Sequence, residues 1–192
     1  MFKLMPSFAL SSLLSLSSFL YAGEYSIDES HSKVGFTIKH MMISNVSGEF
    51  KKYNADIIYD EKNKKFTTLT ATVDPSSVDT GIEKRDNHLR SPDFFDIKKY
   101  PEIMFNMIKH DGDVVEGNLT MHGISKNVKL NLEVGGIAKS PWGDQRFGFS
   151  LTGKINRKDF GLNWNKAIES GGFVVDETVK LTIDIEAILL ED

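Results

Sequence analysis

The sequence of 192 residues contains no cysteine, and its basic side chains do not outnumber its acidic ones. Without cysteine the chain forms no disulfide, no iron–sulfur cluster, no thiol nucleophile and no zinc site with thiolate ligands. Its 27 Asp and Glu residues outnumber its 23 Lys and Arg residues, so the net charge is −4. A chain with this charge balance has no surplus of cations to neutralise the phosphates of a nucleic acid. We therefore expect no nucleic-acid partner.

Catalytic signatures are also missing. There is no nucleophile elbow and no glycine-rich phosphate loop, and the five histidines have no metal-ligand spacing. We therefore predict a protein that is not an enzyme and that uses no cofactor and no metal. The alternative is a hydrolase-type enzyme with an imidazole beside a carboxylate as its general base, and the pairs available are His31 with Asp28 and His88 with Asp86.

The first 22 residues have the composition of a targeting segment. Lys3 precedes an uncharged run of 13 residues, 8–20, made of Leu, Ser, Phe and Ala, and Ala22 stands before Gly23. This pattern is typical of a cleaved secretory signal. A membrane-spanning helix needs about 20 apolar residues, so we expect no stable membrane insertion. The mature domain is then residues 23–192, and the loss of Lys3 takes its net charge from −4 to −5.

Apolar and polar residues alternate along most of the mature chain, as in residues 33–39 and 179–189. Period-two alternation places each apolar set on one face of a strand, and turn residues such as 135–136 separate the sets. We predict eight to ten antiparallel strands, with residues 49–59 as one of them, arranged as a sandwich or a closed barrel. An eight-stranded barrel is either filled by side chains or holds one small ligand, and the alternation fits both.

Residues 79–90 break this alternation and predict a short helix. Thr80 stands three residues before Glu83, which is the capping-box spacing that starts a helix. One face of that helix would carry Ile82, Arg85, Asp86 and Leu89. Two interpretations remain open: a surface helix pinned by an Arg–Asp pair, and a lid whose inward polar groups meet the head group of a ligand.

Several short motifs occur together over nearly all of the mature chain. They are Tyr25-Ser26-Ile27-Asp28 with His31-Ser32, Gly48-Glu49-Phe50, Thr80-Gly81 with Arg85-Asp86 and His88-Leu89, Phe94-Phe95-Asp96, Tyr100-Pro101, Gly117-Asn118-Leu119-Thr120 with His122-Gly123, and Asn156-Arg157-Lys158-Asp159-Phe160-Gly161. With this set, in this order, the chain resembles the YceI-like family of bacterial periplasmic polyisoprenoid-binding proteins.

The resemblance implies an all-β fold: an extended, lipocalin-like, antiparallel eight-stranded β-barrel, with a short helical insertion around residues 80–100. It also implies a periplasmic location, a homodimer, and an elongated apolar cavity for a long-chain lipid. That lipid would be an isoprenoid quinone, an isoprenoid phosphate, a fatty amide or a similar molecule, held without covalent chemistry. The alternative function is that of a periplasmic β module that binds a protein partner through an exposed sheet edge.

Two groups of residues are the candidates for lipid binding. The candidates for the barrel interior are Phe36, Ile38, Phe105, Phe147, Phe149, Leu151, Leu181 and Ile183. The candidates for the mouth or lid are Arg85, Asp86, His88, Arg90, Phe94, Phe95 and Arg157. The apolar group would solvate a hydrocarbon tail, and the arginines would offer paired donors to a phosphate or a quinone oxygen.

Overall fold

The computed structural model describes residues 22–169 and 171–191. The predicted signal peptide, residues 1–22, therefore lies outside the described residues except for Ala22. The strands are β1 (Ala22–Ile27), β2 (Lys33–His40), β3 (Ser44–Phe50), β4 (Tyr53–Asp60), β5 (Lys65–Val73), β6 (Val78–Asp79), β7 (Ile103–Asp111), β8 (Val114–Met121), β9 (Ile124–Lys139), β10 (Gln145–Asn156) and β11 (Val175–Leu189). The described part of the chain holds one α-helix, α1 (Glu83–Arg90), and 3₁₀ turns at Glu29–His31, Pro75–Ser77 and Arg157–Phe160.

Eight strands close into an antiparallel barrel, which confirms the predicted fold. The order around the ring is β1, β4, β5, β7, β8, β9, β10 and β11, and β11 pairs with β1 to complete it. The closing register places Tyr25 opposite Leu189 and Ile27 opposite Ala187. Because a closed ring leaves its eight strands paired on both sides, the barrel has no open edge at this seam.

The remaining three strands form an extension on β11. The residues of β11 that precede its contact with β1 pair with β2 from Val175 to Asp184. β3 pairs with β2, and the two-residue strand β6 pairs with β3. The 3₁₀ turn after β1 carries the chain from the barrel seam to β2, so β1 and β2 lie beside β11 one after the other along its length.

The helical insertion is present, but it begins differently from the prediction. Helix α1 has Ile82 as its N-cap with no side-chain cap bond, and Ile82 is exposed rather than turned inward. Thr80 is not the cap, because its backbone N–H and its hydroxyl both donate to the buried carboxylate of Asp86. No helix in the described ranges, 22–169 and 171–191, is long and apolar enough to cross a bilayer.

Two predicted boundaries were wrong. Residues 49–59 are not one strand, because the chain leaves β3 at Phe50 and enters β4 at Tyr53. The pair Gly135-Gly136 is not a turn between strands, because β9 runs through it. The register with β10 shifts there: Gly148 faces Gly136 and the next residue, Phe149, faces Val134. The extra residue makes a β-bulge, and Gly136 supports it with a φ of 120°.

Aromatic side chains fill one end of the barrel. Phe147 on β10 is fully buried, and its ring stacks on Tyr59 with centroids 4.2 Å apart. Tyr25 and Phe66 complete this aromatic plug, with ring centroids 5.3 Å and 5.8 Å from that of Phe147. The buried imidazole of His110 fixes one side of it, since its Nδ1 accepts the backbone N–H of Phe66 at 2.9 Å. The rings therefore fill the interior of the barrel at this end.

The other end of the barrel is hollow, and β11 shows the change along one face. Ala187 points inward beside the plug and is buried, and Ile185, which is also buried, lies where the cavity begins. Val179, Leu181 and Ile183 continue the same alternation, but they are only half-buried because they border a cavity. One strand therefore supplies both the solid and the hollow half.

We expect Phe147→Ala to lower the free energy of unfolding by about 3–5 kcal/mol, because it leaves a hole in the aromatic plug. Urea denaturation monitored by circular dichroism measures this loss. Phe36→Ala is the matched control, since Phe36 borders the cavity and is already half-buried, and it should cost roughly 1–2 kcal/mol. Equal losses in the two variants would contradict the division of the barrel into a filled and a hollow half.

Candidate functional site: an apolar cavity with a basic wall

A cavity of about 380 Å³ lies in the hollow half of the barrel. This is within the size range of small-molecule sites. Seven of the eight residues predicted for the barrel interior line it: Phe36, Ile38, Phe105, Phe149, Leu151, Leu181 and Ile183. Phe147 does not line it, because it lies in the aromatic plug. The alternation that places Phe147 inward is the same as for Phe149, and only the packing around the two rings distinguishes them.

Five residues with basic side chains border the cavity, namely Lys39, His40, Arg85, His88 and Arg157, and no Asp or Glu of the described residues does so. Lys39 is exposed and follows Ile38 on β2, so its side chain lies on the opposite face of the strand. Tyr53, Asn54 and Thr80 are the uncharged polar members of the cavity wall. A chain with a net charge of −4 thus places two arginines and two histidines, and no carboxylate of its described residues, beside the cavity.

Arg157 is the most buried of these basic side chains, with 3% of its surface exposed. It begins the 3₁₀ turn after β10, and Asn156 caps that turn by accepting the backbone N–H of Lys158. The guanidinium donates to three backbone carbonyls, those of Leu162, Val175 and Asp176. Burial lowers the pKa of Arg157, since desolvation penalises its charge.

Arg85 lies in the first half of α1 and is partly buried. Its Nε donates to the hydroxyl of Thr80 at 2.7 Å, and its Nη2 donates to the Thr80 carbonyl at 2.9 Å. The neighbouring Asp86 does not pair with it, because the Asp86 carboxylate accepts from Thr80. The open interpretation of a helix pinned by an Arg–Asp pair is therefore wrong, and Arg85 is left facing the cavity.

Two of the seven residues predicted for the mouth lie away from the cavity wall. Asp86 is buried beneath the start of α1, where it holds Thr80. Arg90 donates to the backbone carbonyls of Ser76 and Val78 and ties the end of α1 to β6. The other five, Arg85, His88, Phe94, Phe95 and Arg157, line the cavity.

An aromatic group covers the cavity on the side of α1. The ring of His88 meets Phe94 and Trp164 edge to face, with centroids 5.0 Å and 4.8 Å apart. The carboxylate bound to His88 belongs to Asp93, at 2.7 Å from Nε2, and not to Asp86. The predicted pairing of His88 with Asp86 is therefore wrong: the two residues lie two positions apart on one helix, so their side chains point in different directions.

Sequence reasoning missed Trp164. It lines the cavity from the irregular segment between the 3₁₀ turn at Arg157–Phe160 and β11. No alternation extends into that segment, so its inward residues had no periodic signal. Asn165 holds the segment against β11, since its side chain both donates to the carbonyl of Val175 and accepts the Val175 N–H.

Comparison with known proteins identifies the barrel. A family described as the YceI-like domain matches residues 25–187. The chain belongs to the YceI-like family. A relative from Staphylococcus epidermidis, named a UPF0312 protein, is 37% identical over 164 residues, which are 85% of this chain and 96% of the relative.

A solved YceI structure agrees with this assignment. The YceI protein of Campylobacter jejuni is 41% identical, with a TM-score of 0.71, and the match covers 88% of this chain and 99% of that one. A polyisoprenoid-binding domain from Saccharophagus degradans has a TM-score of 0.62 at 17% identity, with the same coverage of both chains. The second comparison supports the fold alone.

The predicted His31–Asp28 pair forms outside the cavity, on the surface of this YceI-like barrel. His31 Nδ1 lies 2.9 Å from Asp28 Oδ2, and the same nitrogen lies 3.1 Å from the hydroxyl of Ser30. In a catalytic triad the base contacts its carboxylate and its nucleophile through opposite ring nitrogens. Here both contacts use Nδ1, so the arrangement does not relay a proton.

Asp28 and His31 also stand close to Glu186, in a group with the spacing of metal ligands. The guanidinium of Arg146 already serves this group as its cation, because Nη1 lies 2.6 Å from Asp28 and 2.5 Å from Glu186. Hydrogen bonds from Ser30, His31 and Arg146 hold the pKa of Asp28 well below its usual range. The group links the turn after β1 to β10 and β11, next to the barrel seam.

The hydrogen bond to Asp28 raises the pKa of His31 above its ordinary value of 6.5. A raised folded-state pKa stabilises the fold at pH values below 6.5, and this contribution is lost as the pH rises through the folded-state pKa. We therefore expect His31→Ala to lower the free energy of unfolding more at about pH 5.5 than at about pH 8.

Urea denaturation at the two pH values measures this difference. An NMR titration of the His31 ring supplies the control, because Asp28→Asn should return the pKa of His31 towards 6.5. An equal effect of His31→Ala at both pH values would contradict the pairing.

Proposed function

We propose that this protein is a periplasmic binding or carrier protein for a polyisoprenoid or a similar long-chain lipid, held non-covalently in the barrel. The observation that carries the proposal is the cavity: the hollow half of the barrel and the elements beside it surround about 380 Å³ with side chains that are almost all apolar. Isoprenoid quinones, isoprenoid phosphates and fatty amides are the candidate ligands. Each combines a long apolar tail with a small polar end.

The hydrophobic effect accounts for binding without any special contact to the tail. Each methylene that moves from water into an apolar site contributes about 0.8 kcal/mol, so ten methylenes contribute on the order of 8 kcal/mol before ordering costs. The preformed barrel reduces the cost of ordering on the protein side. Binding of this kind needs no chemical step.

Relatives support the proposal at the level of the fold. The domain from Saccharophagus degradans is named for binding polyisoprenoids, and it shares the barrel with this chain. The alternative function, a β module that binds a partner through a sheet edge, would use the extension, because β6 pairs with β3 only at Glu49 and Phe50. The homodimer and the absence of a nucleic-acid partner stay predictions.

A small-to-large substitution inside the cavity tests the proposal. Ala71 on β5 lines the cavity, so Ala71→Phe should occupy space that the ligand needs and keep the wall apolar. Organic extraction of the wild-type protein, purified from the periplasm of its own host, should yield a long-chain lipid by mass spectrometry. The Ala71→Phe variant should yield at least roughly tenfold less, which corresponds to about 1.4 kcal/mol of lost affinity.

Ala138→Phe is the matched control. Ala138 is an exposed residue of β9 and lies outside the cavity, so this variant should retain the wild-type amount of lipid. Recovery of no lipid from the wild-type protein, or equal recovery from Ala71→Phe, would overturn the proposal.

Export can be tested by itself. We expect the protein in the periplasmic fraction to begin at Gly23, because the first 22 residues have the pattern of a cleaved signal. Intact-mass spectrometry of the fractionated protein measures this terminus, and a variant with Asp in place of Leu13 and Leu14 should stay in the cytoplasm. A periplasmic protein that still carries Met1 would contradict cleavage, and a cytoplasmic wild type would contradict export.

A further inference from the structure

The charges of the cavity wall carry information about the polar end of the ligand. Arg85, Arg157, His40 and His88 border the wall, and no carboxylate of the described residues does so. A neutral head group would need hydrogen-bond donors and acceptors, but it would gain nothing from a one-signed set of charges. An anionic head group would pair with it directly.

Arg157 is the most buried of these side chains, and it forms no ion pair with a carboxylate of the described residues. Ion pairs in the described ranges involve Arg146 and several lysines and histidines, and none involves Arg157. Glu177 and Asp176 are close enough for their charges to favour the charged guanidinium, but neither forms an ion pair with it. Asp176 accepts the backbone N–H of Glu177, and Glu177 pairs with Lys158. A buried cation with no carboxylate in contact is costly, and a ligand anion would relieve that cost.

The guanidinium also has donors to offer. It carries five N–H groups, and its acceptors in the described part of the chain are three backbone carbonyls, one of them at the long distance of 3.5 Å. These carbonyls fix the plane of the guanidinium at the cavity wall. Arg85 adds a second guanidinium, and it too has no carboxylate partner among the described residues.

We propose that the lipid carried in the cavity has an anionic head group, a carboxylate or a phosphate, and that Arg157 selects it. The inference rests on the proposed function and adds the chemical class of the ligand. It separates the candidate ligands: an isoprenoid phosphate or a fatty acid fits the wall, and a neutral quinone or a fatty amide leaves the guanidinium without a counter-ion.

The two tryptophans of the chain provide the measurement. Trp164 lines the cavity, whereas Trp142 lies outside it and has 82% of its surface exposed to solvent. In a Trp142→Phe background, fluorescence of Trp164 reports occupation of the cavity. The delipidated protein is titrated at about pH 8, where carboxylic acids are ionised, with palmitate against palmitamide and with farnesyl phosphate against farnesol.

We expect the anion to bind roughly tenfold to a hundredfold more tightly than its neutral counterpart in at least one pair, since charged hydrogen bonds contribute this much. The pair that shows the preference identifies the head group as carboxylate or phosphate. Arg157→Gln should bring the preference close to unity and leave the affinity for the neutral member unchanged. Arg157→Lys keeps the charge and should retain part of the preference.

Arg90→Gln is the matched control, because Arg90 also donates to backbone carbonyls but lies away from the cavity wall. It should leave the preference intact. Equal binding within both pairs by the wild-type protein would overturn the anionic head group and leave the proposed function standing. A preference that survives Arg157→Gln would overturn the role of Arg157. Binding of neither member in either pair would overturn the proposed function, and the inference with it.

Discussion

The pairing of one long strand with two successive partners determines the rest of the structure. β11 closes the barrel with β1 over its last residues and pairs with β2 over the preceding ones. Beside β1 the ring is complete, and the rings of Tyr25, Tyr59, Phe66 and Phe147 fill it. Beside β2 the hairpin of β2 and β3 and the helical insertion form part of the wall, and the inward side chains leave a cavity.

The basic side chains of the cavity follow from the same division. Arg157 leaves the end of β10 at the hollow half, where backbone carbonyls of the segment before β11 and of β11 itself surround its guanidinium. Arg85 and His88 reach the cavity from α1, which β6 holds against β3. An apolar interior with cations at its wall is suited to an amphiphile, because the two parts of such a molecule have opposite solvation requirements.

Much of this could be predicted from the sequence, because alternation reports which side chains face inward. It does not report how tightly they pack, so Phe147 and Phe149 were indistinguishable, although one fills the plug and the other lines the cavity. Alternation gives no information on residues outside the strands. Trp164 lies in an irregular segment, and the partner of His88 is Asp93 rather than Asp86, which is nearer in sequence. The bulge at Gly135-Gly136 had the same composition as a turn, and only its pairing with β10 distinguishes the two.

The central claim is that a lipid occupies the hollow half of the barrel. A crystal structure of the protein purified from its own periplasm, with no lipid added, tests it most directly. The account predicts one continuous, elongated electron density between the walls formed by β5, β10 and β11, with its polar end at Arg157. A cavity filled by ordered water alone, or collapsed by inward movement of its own side chains, would contradict it.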